Sequence, residues 1–231
     1  TTRYREDEPF GSLFGSMHET GHGTYEQGRP RQFDFQPAGK ANGLGIHESQ
    51  SRLWENQVGR SREFCEWSLP LWKKCFPNNM DGIDSEQLWQ AVNLVEPGLI
   101  RVDADEATYN LHIMIRYEIE KQLIAGEIEV DELPDAWDEM YQEYLGIKPP
   151  NRSLGVLQDV HWSMGAIGYF PTYTLGNLYA AQLLEAARDD LPTHDDQIRS
   201  GDFEHILGWM RENVHNRGSV LRPADLIEEA T

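Results

Sequence analysis

The chain has 231 residues, enough to bury a substantial core as one domain or as two lobes. Lys and Arg number 20 against 39 Asp and Glu, a formal charge of −19, which argues against nucleic-acid binding because that needs a basic footprint. The acidic residues are spread along the chain rather than gathered in a tail, as on a solvated surface that resists aggregation, and a halophilic setting is the expectation.

Residues 1–15 read as polar, then rich in Gly and Phe. A helix is predicted from about Leu13 to Gln27, with Gly28 as its C-cap and Pro30 just beyond. Residues 29–45 carry Gly and Pro and no apolar period, so they read as a loop. Helix signals resume at Ser49, and Leu53, Trp54, Val58, Phe64, Trp67 and Leu71 approximate a core-facing stripe that ends by Pro77. Asp84 and Ser85 are N-cap candidates for a helix carrying Leu88, Trp89, Val92 and Val95, closed by Pro97-Gly98. Leu99–Val102 reads as a short strand that Ile128–Val130 could pair with in a tiny sheet. Between them, Asp103 or Asp105 caps a helix through Leu111, Ile115, Ile119 and Leu123 that stops at Gly126. Pro134 suits the first turn of a helix carrying Trp137, Met140, Tyr141, Tyr144 and Leu145, broken by Gly146, Pro149 and Pro150. Residues 151–177 lack periodicity and are rich in Gly, aromatic and polar groups, the character of a functional loop region. Helices at about 176–189 and 202–213 and a short helical piece after Pro223 complete a mainly α fold with a minor β element.

Cys65 and Cys75 form no C-x-x-C and no disulfide framework. Cys65 sits in an apolar helical pattern and reads as a small core residue. There is no signal peptide and no run of about 18 apolar residues, so no membrane span is expected and a cytoplasmic location is the default expectation.

The chemistry concentrates in the first helix. His18, Glu19 and His22 spell H-E-x-x-H. Residues four apart share one helix face, so the two imidazoles can grip one Zn²⁺, while Glu19 follows the first ligand closely enough to serve as general base. Glu48, in the run Ile46-His47-Glu48-Ser49-Gln50, is the preferred third ligand, with His47 as its competitor. Two His and one Glu leave the fourth position open, the arrangement of a catalytic rather than a structural zinc.

Two stretches, H-E-T-G-H-G-T-Y-E-Q-G and H-E-S-Q-S-R-L-W-E-N-Q-V-G-R-S, together resemble the carboxypeptidase Taq family of zinc metallocarboxypeptidases. Ile100-Arg101-Val102-Asp103-Ala104-Asp105, Gly155 to Trp162, and Gly168 to Asn177 follow in the family's order. The resemblance implies a helical protein whose deep groove holds zinc or cobalt, acts on peptide substrates with broad specificity and poor action at Pro, and forms a homodimer. It covers only the C-terminal half of the family's chain. Thr1-Thr2-Arg3-Tyr4 looks like the tail of a D-x-R-x-T motif whose Asp and Arg are missing, so the chain reads as the C-terminal portion of a catalytic domain.

Within those motifs Arg101 is the candidate for binding a substrate carboxylate, because a guanidinium fork matches it; the alternative is a structural ion pair with Asp103 or Asp105. His161, Tyr169 and Tyr173 are candidates to stabilise an oxyanion or contact substrate, and Asp159 to orient a histidine. Competing readings are an endo-oligopeptidase with the same zinc motif, and a metal-binding or dimerisation fragment that needs the missing N-terminal half.

Overall fold

A computed structural model describes residues 4, 5 and 8–231. The opening Thr1, Thr2 and Arg3 lie outside the described residues. Among the described residues the chain is helical, with ten α-helices joined by turns and no β-strand. The expected β element is thus corrected. Leu99 and Ile100 lead into a 3-10 turn, Arg101–Asp103, in which Asp103 and Ala104 donate to carbonyls three residues back and Arg101 N donates to Gln158 Oε1 at 2.9 Å. Around Ile128–Val130 the backbone turns, with Glu129 N donating to Glu132 Oε2 at 2.8 Å. Their polar groups are taken up by turn bonds and by side chains such as Gln158, which leaves no ladder to form.

The chain folds as two compact units, residues 1–92 with 175–231, and residues 93–174. In the first, α1 (Pro9–Gly28) starts four residues earlier than the sequence predicts. Glu8 accepts from Gly11 N at 2.8 Å as N-cap, and Pro9 suits the first turn. The Gly/Phe stretch turns helical because Phe10, Leu13, Phe14 and Met17 fall at helical spacing and pack on Cys65, Met80, Leu88 and Val92. Gly28 is no left-handed cap, since the chain leaves the helix extended at Arg29. Its missing side chain instead makes room for the His215 ring, whose Cβ would lie 2.8 Å from an added Cβ.

Helix α2 (Gly43–Arg52) also begins before its predicted start at Ser49. Asn42 N, just ahead of it, donates to the buried Tyr25 hydroxyl at 2.8 Å. A six-residue π turn, Leu53–Val58, follows directly, and then α3 (Arg62–Cys75), capped by Ser61 Oγ accepting from Phe64 N. The predicted stripe falls in two segments, the π turn and α3: Leu53, Trp54, Val58 and Phe64 are core and Trp67 packs against them, but Leu71 is exposed. In α4 (Ser85–Val92), Asp84 and Gln87 cap each other reciprocally at 2.8 and 3.1 Å. The other members of this unit are most of α7 (Pro171–Asp190), α8 (His194–Ser200), α9 (Glu204–Asn213) and α10 (Pro223–Ala230). Their apolar faces meet Tyr25, Ile46, Leu53 and Val58 in the largest core.

The second unit is built on α5 (Glu106–Ala125) and α6 (Leu133–Leu145). Asp105 caps α5 by accepting from Thr108 N at 2.9 Å, and Gly126 and Gly146 end the two helices at positive φ, where glycine pays no steric penalty. Ile115, Ile119, Trp137, Tyr141 and Leu145 form its core. Of the predicted loop region 151–177, residues 151–170 carry only one short 3-10 turn, Trp162–Met164, whereas 171–177 form the first turns of α7. Both cysteines are free, and burial pushes the Cys65 thiol up to about 11, the state of an inert core residue.

Candidate metal centre

Two helices crossing at close range build the centre. At Gly21, between the two histidines of α1, an added Cβ would meet the Gln50 carbonyl and lie 2.6 Å from Ser51 Cα. Only glycine lets the α2 backbone come this near. A second glycine works from behind: an added Cβ on Gly176 of α7 would lie 2.7 Å from Glu48 Cβ. Glu48 is thereby pressed between two helices with its carboxylate directed at α1.

The result is a convergent donor set. His18 Nε2 and His22 Nε2 lie 3.2 Å apart, and Glu48 Oε2 sits 3.9 and 3.6 Å from them. Ligands around a tetrahedral ion at about 2.0–2.2 Å are separated by roughly 3.3–3.5 Å, so these three fit one. Glu48 is only 6% exposed, and its Oε1 is buried without a hydrogen-bond partner; the nearest positive group is Arg52 Nε at 3.4 Å. A buried carboxylate so placed gains from a nearby cation. Burial and the neighbouring His18 hold His22 below its ordinary pKa, which favours the neutral imidazole that a metal requires. Among the described residues these three alone form a cluster of metal-ligand geometry.

The outer nitrogens are also engaged. His18 Nδ1 meets Glu55 Oε2 at 2.8 Å. His22 Nδ1 faces the His47 carbonyl at 3.1 Å and His47 Nδ1 at 2.7 Å, and His47 Nε2 reaches Glu26 Oε1 at 3.0 Å. His47, the competing third ligand, thus stands against the far side of His22. Sequence reading missed Glu55, Arg52 and Glu26 as neighbours of the centre. A signal was present, since Glu26 continues the His18–His22 face by one turn and Arg52 and Glu55 continue that of Glu48. Glu19 is exposed.

The second unit gathers the other candidates. Asp159 accepts from Arg101 Nε and Nη2, the latter at 2.7 Å, and from Arg116 Nε at 2.6 Å. Burial opposes its charge, yet the Arg101 hydrogen bond and the Arg116 charge prevail and hold its pKa at about 2. Arg101 Nη1 donates to the Tyr109 hydroxyl at 3.0 Å and its guanidinium lies over the Tyr173 ring at 4.7 Å. Each of its three nitrogens already donates within the protein. Its ion-pair partner is Asp159, and neither Asp103 nor Asp105. His161 Nε2 meets the Tyr173 hydroxyl at 3.0 Å, with Nδ1 3.6 Å from Asp159, and its ring packs against Tyr169 and Phe170. Burial, with Arg101 and Arg116 working against Asp159, lowers the His161 pKa. His18, His22, Glu48 and Glu19 therefore belong to the first unit, and Arg101, Asp159, His161, Tyr169 and Tyr173 to the second.

The whole sequence, residues 1–231, matches the family described as carboxypeptidase Taq (M32) metallopeptidase. The chain belongs to this family. It is 49% identical to thermostable carboxypeptidase 1 of Thermus thermophilus, with all of this chain aligned to 45% of that protein, and 44% identical to carboxypeptidase 1 of Bacillus subtilis, with 46% of that protein covered. The crystal structure of the M32 carboxypeptidase from Deinococcus radiodurans R1 superposes with a TM-score of 0.96 at 45% identity, covering all of this chain and 47% of the other. Trypanosoma cruzi metallocarboxypeptidase 1 gives 0.95 at 45% identity over 48% of its chain. The chain spans about half the length of the curated relatives it matches. The helical architecture is thus that of the family's solved members, and His18, His22 and Glu48 form a group that could hold a metal ion.

Proposed function

We propose that this chain carries the metal-dependent half of a carboxypeptidase, a C-terminal portion of the catalytic domain that releases C-terminal residues from peptides with broad specificity. The observation that carries the reading is the convergence of His18, His22 and Glu48 on one point, from a protein of a metallopeptidase family. These three residues hold the ion, zinc in the first instance with cobalt as the alternative, since two imidazoles and a carboxylate suit both. When bound, the ion supplies Lewis-acid activation of water and of the scissile carbonyl. Glu19, one residue past His18 on the exposed side of α1, is the base: its carboxylate takes the proton released as water attacks and gives it to the departing amine nitrogen. On the substrate side, His161 and Tyr169 are the proposed donors to the developing oxyanion, with Asp159 holding the histidine. Tyr173 and Arg101 serve substrate binding, Arg101 through its guanidinium on the substrate's terminal carboxylate, held in place by Asp159 and the Tyr173 ring.

The test is hydrolysis of an N-blocked dipeptide beside its C-terminally amidated form. The chain is expected to bind one ion, cleave the free acid and refuse the amide; equal cleavage of both would make it an endopeptidase instead. Glu19→Gln is expected to keep the metal and lose about 10²–10⁴-fold in turnover, and retained turnover would remove Glu19 from its role. Homodimerisation is proposed on the family resemblance alone and is read by light scattering. No helix among the described residues is long and apolar enough to cross a membrane. A cytoplasmic location accords with that composition, and would be overturned by finding the protein outside the cell. The charge of −19 supports a salt-rich setting and no nucleic-acid partner.

A further inference from the structure

The two histidines of the centre are supported unequally. His22 leans on the carbonyl and ring of His47. His18 leans on a carboxylate, Glu55 Oε2, at 2.8 Å. Glu55 comes from the π turn that directly follows the helix bearing Glu48, and π turns concentrate at functional sites. One arginine ties this carboxylate to the third ligand: Arg52 Nη1 donates to Glu55 Oε2 at 3.2 Å, while its Nε lies 3.4 Å from Glu48 Oε1. Glu48, Arg52 and Glu55 stand at i, i+4 and i+7, so a single helix face delivers a ligand, the ligand's cation and the acceptor for a second ligand on α1.

We propose that Glu55 is a positioning residue of the metal centre. It accepts the Nδ1 proton of His18, so the imidazole is held in the tautomer whose Nε2 lone pair points at the ion, and Arg52 holds Glu55 and Glu48 in register. The inference rests on His18, His22 and Glu48 being the ligands. Glu55 is suited to the part by its placement: the same Oε2 that faces His18 Nδ1 also accepts from Arg52 Nη1 at 3.2 Å, so a cation stands beside the carboxylate. An ionised acceptor also makes the imidazole a better donor to the ion, which a neutral amide does less well.

The experiment measures zinc affinity by competition with a chromogenic chelator, and the melting temperature of the metal-free protein, for the 231-residue chain and for Glu55→Ala, Glu55→Gln and His22→Ala. Glu55→Ala is expected to weaken zinc about 10–100-fold, with Glu55→Gln between it and the parent because the amide oxygen still accepts from Nδ1 without the charge. The metal-free melting temperature is expected to stay close to that of the parent in Glu55→Gln, which removes a charge and little packing. Unchanged zinc affinity in both Glu55 variants overturns the proposal, and so does a lowered metal-free melting temperature with affinity retained, which would make Glu55 a structural residue only. His22→Ala separates the two levels. If it binds zinc as tightly as the parent, the ligand assignment itself falls; if it loses zinc while both Glu55 variants keep it, only the role of Glu55 falls.

Discussion

At the scale of single residues, the centre shows which groupings local spacing can reveal. His18 and His22 are legible because one turn of helix fixes their relation. Glu48 is legible because it recurs after a loop on a return helix. Asp159 is different. Its two arginine partners come from segments remote in sequence, and no local pattern ties them together. The sequence offers Asp103 or Asp105 as an alternative, structural ion-pair partner of Arg101, but Asp105 is spent on capping α5 and the pair forms with Asp159. Arg101 is 5% exposed and Arg116 wholly buried. Removing the one charge that compensates both leaves two buried cations with weaker partners. Asp159→Asn is therefore expected to cost about 3–5 kcal/mol of stability, read by urea denaturation of this chain. A loss below about 1 kcal/mol would mean that water reaches the pair and that it behaves like a surface ion pair.

At the scale of elements, most helices are legible, but α8 is not, and the starts of α1 and α2 lie earlier than the pattern indicates. The Gly/Phe-rich stretch ahead of Leu13 and the glycines at 43 and 45 hide those starts, because packing overrides propensity where a face is buried. The absent strands are the converse case, apolar runs too short to distinguish from turns that carry buried side chains. What no pattern marked was the use of glycine as a contact surface. Gly21 and Gly23 lie in the same helix beside the same histidines, yet an added Cβ at Gly21 strikes the α2 backbone and one at Gly23 meets nothing within 4 Å. Gly21→Ala must push α2 away and carry Glu48 from the histidines. It is expected to destabilise by about 1–3 kcal/mol and to weaken metal binding as well. Gly23→Ala is expected to stabilise by about 0.5–1 kcal/mol, since alanine is the better helix former. Calorimetry and chelator competition on the pair decide it. Equal behaviour of the two variants would show that the α1–α2 crossing is not set by Gly21.

At the scale of the whole molecule, two electrostatic effects act on stability with different signatures. The charge of −19 makes the folded chain repel itself, and salt screens that repulsion. Buried histidines act otherwise. His112 and His194 are lowered by burial to about 4, and His215 to about 3, so all three are neutral in the fold. In the unfolded chain each returns to its ordinary value of about 6.5. Between that value and the folded one the unfolded state binds a proton that the folded state refuses. Stability therefore falls as pH drops from about 6.5 towards 4, by up to about 1.4 kcal/mol per pH unit for each histidine. Asp159, held at about 2, adds its own loss below about 4, because a depressed carboxylate gives up its stabilising charge as pH falls through its folded value. Salt and pH should then act independently on the metal-free chain. Adding salt at pH 7 is expected to raise the melting temperature, while the decline between pH 6.5 and 4.5 keeps its slope, because these histidines are buried from the screening ions. His215→Gln, which can keep the contact to Gln50 Oε1 now made by His215 Nε2 at 2.9 Å, is expected to flatten that slope by one histidine's share. A slope that vanishes in high salt would place the acid sensitivity on the surface rather than in the core.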